Sequence, residues 1–231
     1  LRLQKKYRII VCPPCIFIPP IYKFLSTNKY QNVLYLGGQN VFYRNRGAFT
    51  GTISPVMLKS YNIKYCIVGH SECKTIFKET NIDINNKIKS LLKQKIKPII
   101  CVGENKRKLK ETSSNFRIKN EIFGQLNEYL KGIPIEEAHN LMIAYEPVWA
   151  ISQNTPTYLP NPQDTKNIIH NIRFWLSTRF NGMIAQNIPI LYGGSINHKN
   201  MTQYLEISNG ILVGSASVQK AEITKLIKNL I

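Results

Sequence analysis

Glu146, His70 and two glycine-rich turns are the residues of this chain whose types and spacing could do chemistry. Glu146 follows the apolar run Leu141 to Tyr145 and precedes Pro147, which fixes φ and offers no N–H to a ladder. A carboxylate at the mouth of a strand, beside a long polar loop, suits a general base. The plain alternative for a lone glutamate is a solvated strand end. His70 lies between Gly69 and Ser71, just after another apolar run. Near a carboxylate it suits a neutral hydrogen-bond donor to a substrate carbonyl, and a helix beginning beside it favours the uncharged ring. Gly193-Gly194-Ser195 and Gly214-Ser215 follow the last two apolar runs. Small residues let backbone N–H groups approach an anion, so two such turns predict a phosphate site. Base, electrophile and phosphate clamp together describe proton abstraction beside a carbonyl.

No metal-ligand cluster and no dinucleotide fingerprint stands in the sequence, so neither a metal nor a cofactor is expected. Cys12-Pro13-Pro14-Cys15 has the spacing of a redox dithiol or half a zinc site. No second Cys/His pair follows at zinc spacing, and two prolines suit the start of a redox helix poorly, so these read as unrelated thiols.

The elements that must position these groups are short Ile/Val-rich strands alternating with helices. Strands are expected at Tyr7 to Cys12, Asn32 to Gly37, Lys64 to Val68, Pro98 to Val102, Leu141 to Tyr145, Pro189 to Tyr192 and Gly210 to Val213. Helices are expected at Ile18 to Thr27, Pro55 to about Tyr61, Ile82 to Gln94, Asn115 to Lys131, Pro162 to Phe180, Asn200 to Glu206 and up to Ile231. Ser54-Pro55 reads as an N-cap with proline at the first helical position. Strands apolar on both faces and separated by helices imply a parallel sheet, in a barrel or an open doubly wound arrangement. Gln39-Asn40, His70, Glu72, Glu104, Glu146, Ser195 and Gly214-Ser215 all come just after strands. Either architecture gathers them at one set of strand ends.

The chain has 231 residues and a formal net charge of +18. Its basic residues are scattered rather than blocked, so dispersed solvated lysines are the preferred reading and a nucleic-acid partner is not expected. No apolar run is long enough to span a bilayer, so no membrane partner is expected. Five cysteines in a chain of this size read as reduced and intracellular.

GAFTG (47–51), GHSE (69–72), CVGE (101–104), AYEPVWA (144–150), LYGGS (191–195) and LVGSAS (212–217) together resemble the triosephosphate isomerase family, in family order and over nearly the whole chain. The resemblance implies one TIM (β/α)8 barrel over 1–231 and interconversion of dihydroxyacetone phosphate with glyceraldehyde 3-phosphate. It implies Glu146 as the base and His70 as the electrophile that relays protons between the enediol oxygens. It assigns Ser152, Ser195, Gly214 and Ser215 to the phosphate, and Glu72, Glu104 and Tyr192 to the supporting shell and the loop latch. It further implies a homodimer and a cytoplasmic setting, or a plastid if an earlier segment is a targeting peptide. A non-catalytic barrel relative whose basic surface binds nucleic acid or protein is the alternative. An aldolase is disfavoured because no Schiff-base lysine stands at a clear strand end.

The sequence departs from the family pattern in three places. The family's opening strand with Asn-x-Lys has no counterpart before Tyr7, so the first βα unit reads as missing or not included. The loop tip reads Ile151-Ser152-Gln153-Asn154 with a short insertion after it, and Ser215 replaces a family glycine. Thr52 and Cys73 stand where the family carries the Glu and Arg of an intersubunit ion pair. With both gone, no charge is stranded at that place, and the dimer is expected to persist with altered polar contacts.

Overall fold

Several helix starts in this chain carry their own capping chemistry. Ser54 accepts the Met57 N–H through its side chain and Pro55 opens α2 (Pro55–Ser60). Thr80 and Asp83 cap each other's backbone N–H at the start of α4 (Asn81–Lys93). Asn161 accepts the Gln163 N–H ahead of Pro162, which opens α6 (Pro162–Arg179). The computed structural model describes residues 7–28, 33–105, 114–151 and 160–230, with side chains excepted at 114–118. These residues fall into two compact units, Leu1–Ile100 with Leu230–Ile231, and Cys101–Asn229.

In the first unit, β1 (Ile9–Val11), β2 (Leu34–Gly38), β3 (Tyr65–Val68) and β4 (Lys97–Val102) run parallel. The register sets Ile10 against Tyr35, Gly37 against Tyr65 and Val68 against Ile100. Helix α1 (Ile18–Thr27) has the expected bounds. Helix α3 (Ser71–Ile76) is the helix expected to begin beside His70, with no range set by the sequence pattern. Its cap is the ring of His70, which is outside the usual Ser, Thr, Asp, Asn set.

In the second unit, the last residues of β4 are followed by α5 (Ser114–Tyr129), β5 (Met142–Tyr145), α6, a further short helix α7 (Gly182–Asn187), β6 (Ile190–Tyr192), α8 (Met201–Leu205), β7 (Gly210–Ile211) and α9 (Lys220–Lys228). Strands β5, β6 and β7 are parallel, with Tyr145 opposite Tyr192 and Tyr192 opposite Ile211. The buried face of α6, Thr165, Ile168, Ile169, Ile172, Trp175 and Leu176, follows the helical period and packs against the core. The strands β1 and β7 are shorter than their apolar runs, because a run marks where side chains are buried and a ladder marks where backbones pair.

Helix α4 breaks its own pattern. Ile84, Ile88 and Leu91 lie in its apolar stripe, and so does Lys87. The Lys87 ammonium is hydrogen-bonded to Glu79 and to Asn40 Oδ1 at 2.9 Å. The side chains of Lys87 and Glu79 are only 9% and 5% exposed. Asn40 stands just past the end of β2, so this pair fixes the loop that leaves that strand. The Glu79→Ala variant leaves a buried ammonium with one neutral partner, and we expect it to lose about 3–5 kcal/mol in urea denaturation. The double variant Glu79→Gln, Lys87→Met is expected to lose much less. Equal losses would show that the pair is not acting as a unit.

Candidate active site

His70 ends the turn that follows β3, with φ −57° and ψ 144°, and caps α3. Its Nδ1 accepts the backbone N–H of Glu72 at 3.3 Å. An imidazole nitrogen that accepts carries no proton, so the neutral ring has its N–H at Nε2. That is the tautomer an electrophile needs, since Nε2 is then the donor. The carboxylate of Glu72 lies 3.8 Å from Nδ1 and is 41% exposed. Glu72 therefore orients the ring chiefly through its main chain. Asn40 is held by Lys87, and its Nδ2 donates to Cys73 Sγ at 3.4 Å.

Glu146 follows β5 in the second unit and is only 2% exposed, which rules out the solvated strand end. Its N–H continues the sheet by donating to Val102 O at 2.8 Å. Two glycines wall it in. A Cβ built on Gly103 would lie 1.8 Å from Glu146 O, and one on Gly193 would lie 2.6 Å from Glu146 Cγ. Any larger residue at either place would push the carboxylate out of position.

Glu104 is the hub of the same strand ends. It is 1% exposed. Its Oε1 accepts from Trp149 Nε1 at 2.7 Å and from the Tyr145 hydroxyl at 3.2 Å, and its carbonyl accepts the Val148 N–H at 3.0 Å. It thus grips the chain on both sides of Glu146. Burial pushes its carboxyl above the usual range, against the lowering effect of the Trp149 bond. Helix α5 supports it from behind. Gln125 exchanges two bonds with the Gly103 backbone, at 2.8 and 3.0 Å, and Glu121 Oε1 accepts the Asn105 N–H at 3.2 Å. Gln125 was missed in the sequence, although it stands in the apolar stripe of α5 beside Ile122, Leu126 and Tyr129, where a polar residue is a signal of a buried bond.

The glycine turns differ from each other. The N–H and the Oγ of Ser195 both donate to Ala150 O, at 3.1 and 2.6 Å. An anion that took the Ser195 N–H would have to exchange with that carbonyl. Gly214 opens a 3-10 turn, Ser215–Val218, and a Cβ built on Gly214 would meet nothing within 4 Å. Gly214 and Ser215 are exposed, and the Gly214 carbonyl is held by the N–H and the hydroxyl of Ser217 at 2.9 and 2.7 Å. The hydroxyl of Tyr192 is buried, and its close polar neighbour is the Tyr204 hydroxyl. Ser152 lies outside the described residues. Among the described residues no group of three His, Cys, Asp or Glu side chains could hold a metal ion. The Cys12 thiol is pushed up to about 12 by burial. Cys12 is therefore no ready thiolate.

The model of one protein family, triosephosphate isomerase, matches residues 1–230. A triosephosphate isomerase of Dictyoglomus thermophilum is 36% identical over 234 residues, covering 99% of this chain and 90% of its own length. One from Dehalococcoides mccartyi strain CBDB1 is 40% identical over 215 residues, covering 92% and 79%. One from Aster yellows witches'-broom phytoplasma is 36% identical over 218 residues, covering 94% and 75%.

The raised carboxyl of Glu104 gives a pH signature. Its folded form holds a proton more tightly than the unfolded chain does, so its charge costs stability as pH rises through and above the ordinary glutamate value of roughly 4.3. Glu104→Gln keeps an acceptor oxygen for Trp149 and Tyr145 and removes the charge. In urea titrations, wild type minus variant stability is expected to be largest in acid and to fall as pH rises. A difference that grows with pH would reverse the assignment.

Proposed function

The chain belongs to the triosephosphate isomerase family, and on that premise we propose that it interconverts dihydroxyacetone phosphate and glyceraldehyde 3-phosphate with Glu146 as the base and His70 as the electrophile. The fold class is the family's (β/α)8 barrel, and the same proposal takes 1–231 as one domain in the cytoplasm. The burial of Glu146 carries the reading. Exclusion of water strengthens each electrostatic contact around the base and protects a reactive intermediate.

The reaction balances within the substrate. Glu146 takes the proton from the carbon beside the carbonyl, and the C–H electron pair becomes the second bond between the two carbons. The Nε2–H of His70 donates to the carbonyl oxygen, giving an enediol. His70 passes a proton between the two oxygens, and the Glu146 carboxyl returns its own proton to the neighbouring carbon. No net electrons pass to or from the protein, so the chemistry calls for no redox group. Gly214, Ser215 and the Ser195 turn are assigned to the substrate phosphate, with Ser152 as a further donor. The open space around the Gly214 α-carbon supports this. Glu104 holds the flanks of the base and Glu72 the ring of His70, and the buried Tyr192 hydroxyl is assigned to a latch. The reading of the chain as a non-catalytic nucleic-acid binder has no support in the family match.

A homodimer belongs to the same proposal. Ile76, Phe77 and Ile82 are 64%, 74% and 70% exposed, and Phe49 of the GAFTG loop is 40% exposed. Such apolar exposure on one unit fits a surface covered by a second copy. Cys73 takes the Asn40 amide and leaves no charge unpaired there. Among the described residues no helix is long and apolar enough to cross a membrane.

Isomerisation of glyceraldehyde 3-phosphate by the purified protein tests the reading. Glu146→Gln is expected to lower kcat at least about 10²-fold, the range for loss of a general base. An inactive wild type, or an undiminished variant, would overturn it. Sedimentation at micromolar concentration is expected to show a dimer, and a monomer there would remove that part of the proposal.

A further inference from the structure

We propose that Tyr204 is a positioning residue for the proposed isomerisation, holding the Tyr192 ring against the Gly193-Gly194 turn and fixing the point where the chain returns at Pro160. The inference rests on the isomerase reading and concerns a residue that touches no reacting atom.

Four observations lead to it. Tyr204 lies on α8, is 1% exposed, and donates its hydroxyl to Pro160 O at 2.9 Å. Its ring stacks on Tyr192 with centroids 4.1 Å apart and planes 18° apart. Tyr192 lies against the next turn, since a Cβ built on Gly194 would be 2.0 Å from the Tyr192 hydroxyl. Gly193 in that turn donates to Tyr145 O at 2.9 Å, and a Cβ built on it would lie 2.6 Å from Glu146 Cγ. The path from Tyr204 to the base is thus a run of close neighbours, Tyr204 to Tyr192, Tyr192 to Gly194, and Gly193 to Glu146.

The same stretch of chain, from the end of β6 through α8, holds two main-chain carbonyls, that of Ala150 through Ser195 and that of Pro160 through Tyr204. A phenol in the core needs a partner for its hydroxyl, and here the partner is a main-chain carbonyl 44 residues away in sequence rather than a neighbour on its own helix. Leucine would fill the space with no such requirement, so the hydroxyl marks a positional task. Burial raises both phenols, so both stay protonated and Tyr204 remains a donor.

Two contacts therefore depend on Tyr204, and substitutions separate them. Tyr204→Phe keeps the stack and removes the bond to Pro160. That bond tethers the ring that holds Tyr192 against the Gly193-Gly194-Ser195 turn, and this turn is assigned to the phosphate, which is bound alike in substrate and transition state, so the cost is expected in KM. KM for glyceraldehyde 3-phosphate should rise about 3- to 10-fold, the range for one lost neutral hydrogen bond, with kcat within about twofold. The inhibition constant of inorganic phosphate should rise in parallel. Tyr204→Leu also removes the ring and should lower kcat at least about tenfold, because small displacements of a base are costly.

A Tyr204→Phe enzyme with a lowered Tm but wild-type KM, kcat and phosphate inhibition would overturn the proposal and leave Tyr204 a core residue. An unchanged Tm with unchanged kinetics would overturn it as well. If Tyr204→Leu does not fold, Tyr204→Phe decides alone. A wild type without isomerase activity sinks the isomerase reading and this inference with it, an outcome distinct from an active wild type indifferent to Tyr204→Phe.

Discussion

A carboxylate kept out of water at the end of a buried strand is the constraint on which the second unit depends. Glu146 and Glu104 are 2% and 1% exposed, and burying such groups is costly unless fixed dipoles replace the lost water. The surrounding chain supplies those dipoles to Glu104 from Trp149 and Tyr145. The raised carboxyl of Glu104 marks how far the replacement falls short of bulk water. The cost is met because the same carboxylate grips both sides of the catalytic candidate. Gly103 and Gly193 are the steric side of this constraint, since only a residue without a side chain leaves room for Glu146.

The loops that carry these groups are held from the helices. Lys87 on α4 reaches Asn40 after β2, Gln125 on α5 reaches Gly103 after β4, and Tyr204 on α8 reaches Pro160 ahead of α6. Each of these residues sits in an apolar stripe and each places one polar group in it. A buried polar group without a partner costs more than the bond returns, so such a residue specifies one arrangement rather than adding much stability. Rigid helices thus set the positions of segments that have no regular structure of their own, as a site with fixed geometry requires.

Electrostatics and conformation meet again at Ser195. Both its donors are committed to Ala150 O, so the turn that sequence pattern assigns to an anion is in this structure the anchor of the chain after β5. An anion arriving there competes with a backbone carbonyl. On the proposed assignment, binding of a phosphate there and release of that anchor would be linked, since one N–H cannot serve both fully.

Sequence by itself determined the parallel α/β class, the order of the strands and of the helices other than the short α3 and α7, and the placement of His70, Glu104, Glu146, Ser195 and Gly214-Ser215 just after strands, because these follow from apolar periodicity and from glycine and proline chemistry. The cap at Ser54 and the helix start at Pro162 were legible for the same local reason. Tertiary structure decided the rest. That Glu146 is walled in rather than solvated depends on Gly103 and Gly193, which are 43 and 47 residues away and meet it only across paired strands. The proton position on His70 depends on the Glu72 N–H, which points at Nδ1 only once α3 has formed around an unusual cap. Tyr204, Gln125 and Lys87 read as ordinary positions in helical patterns, and their tasks appear only where folding brings a distant carbonyl or carboxylate within hydrogen-bond reach. Periodicity records which side of a helix is buried; it carries no information on which polar group waits on the other side.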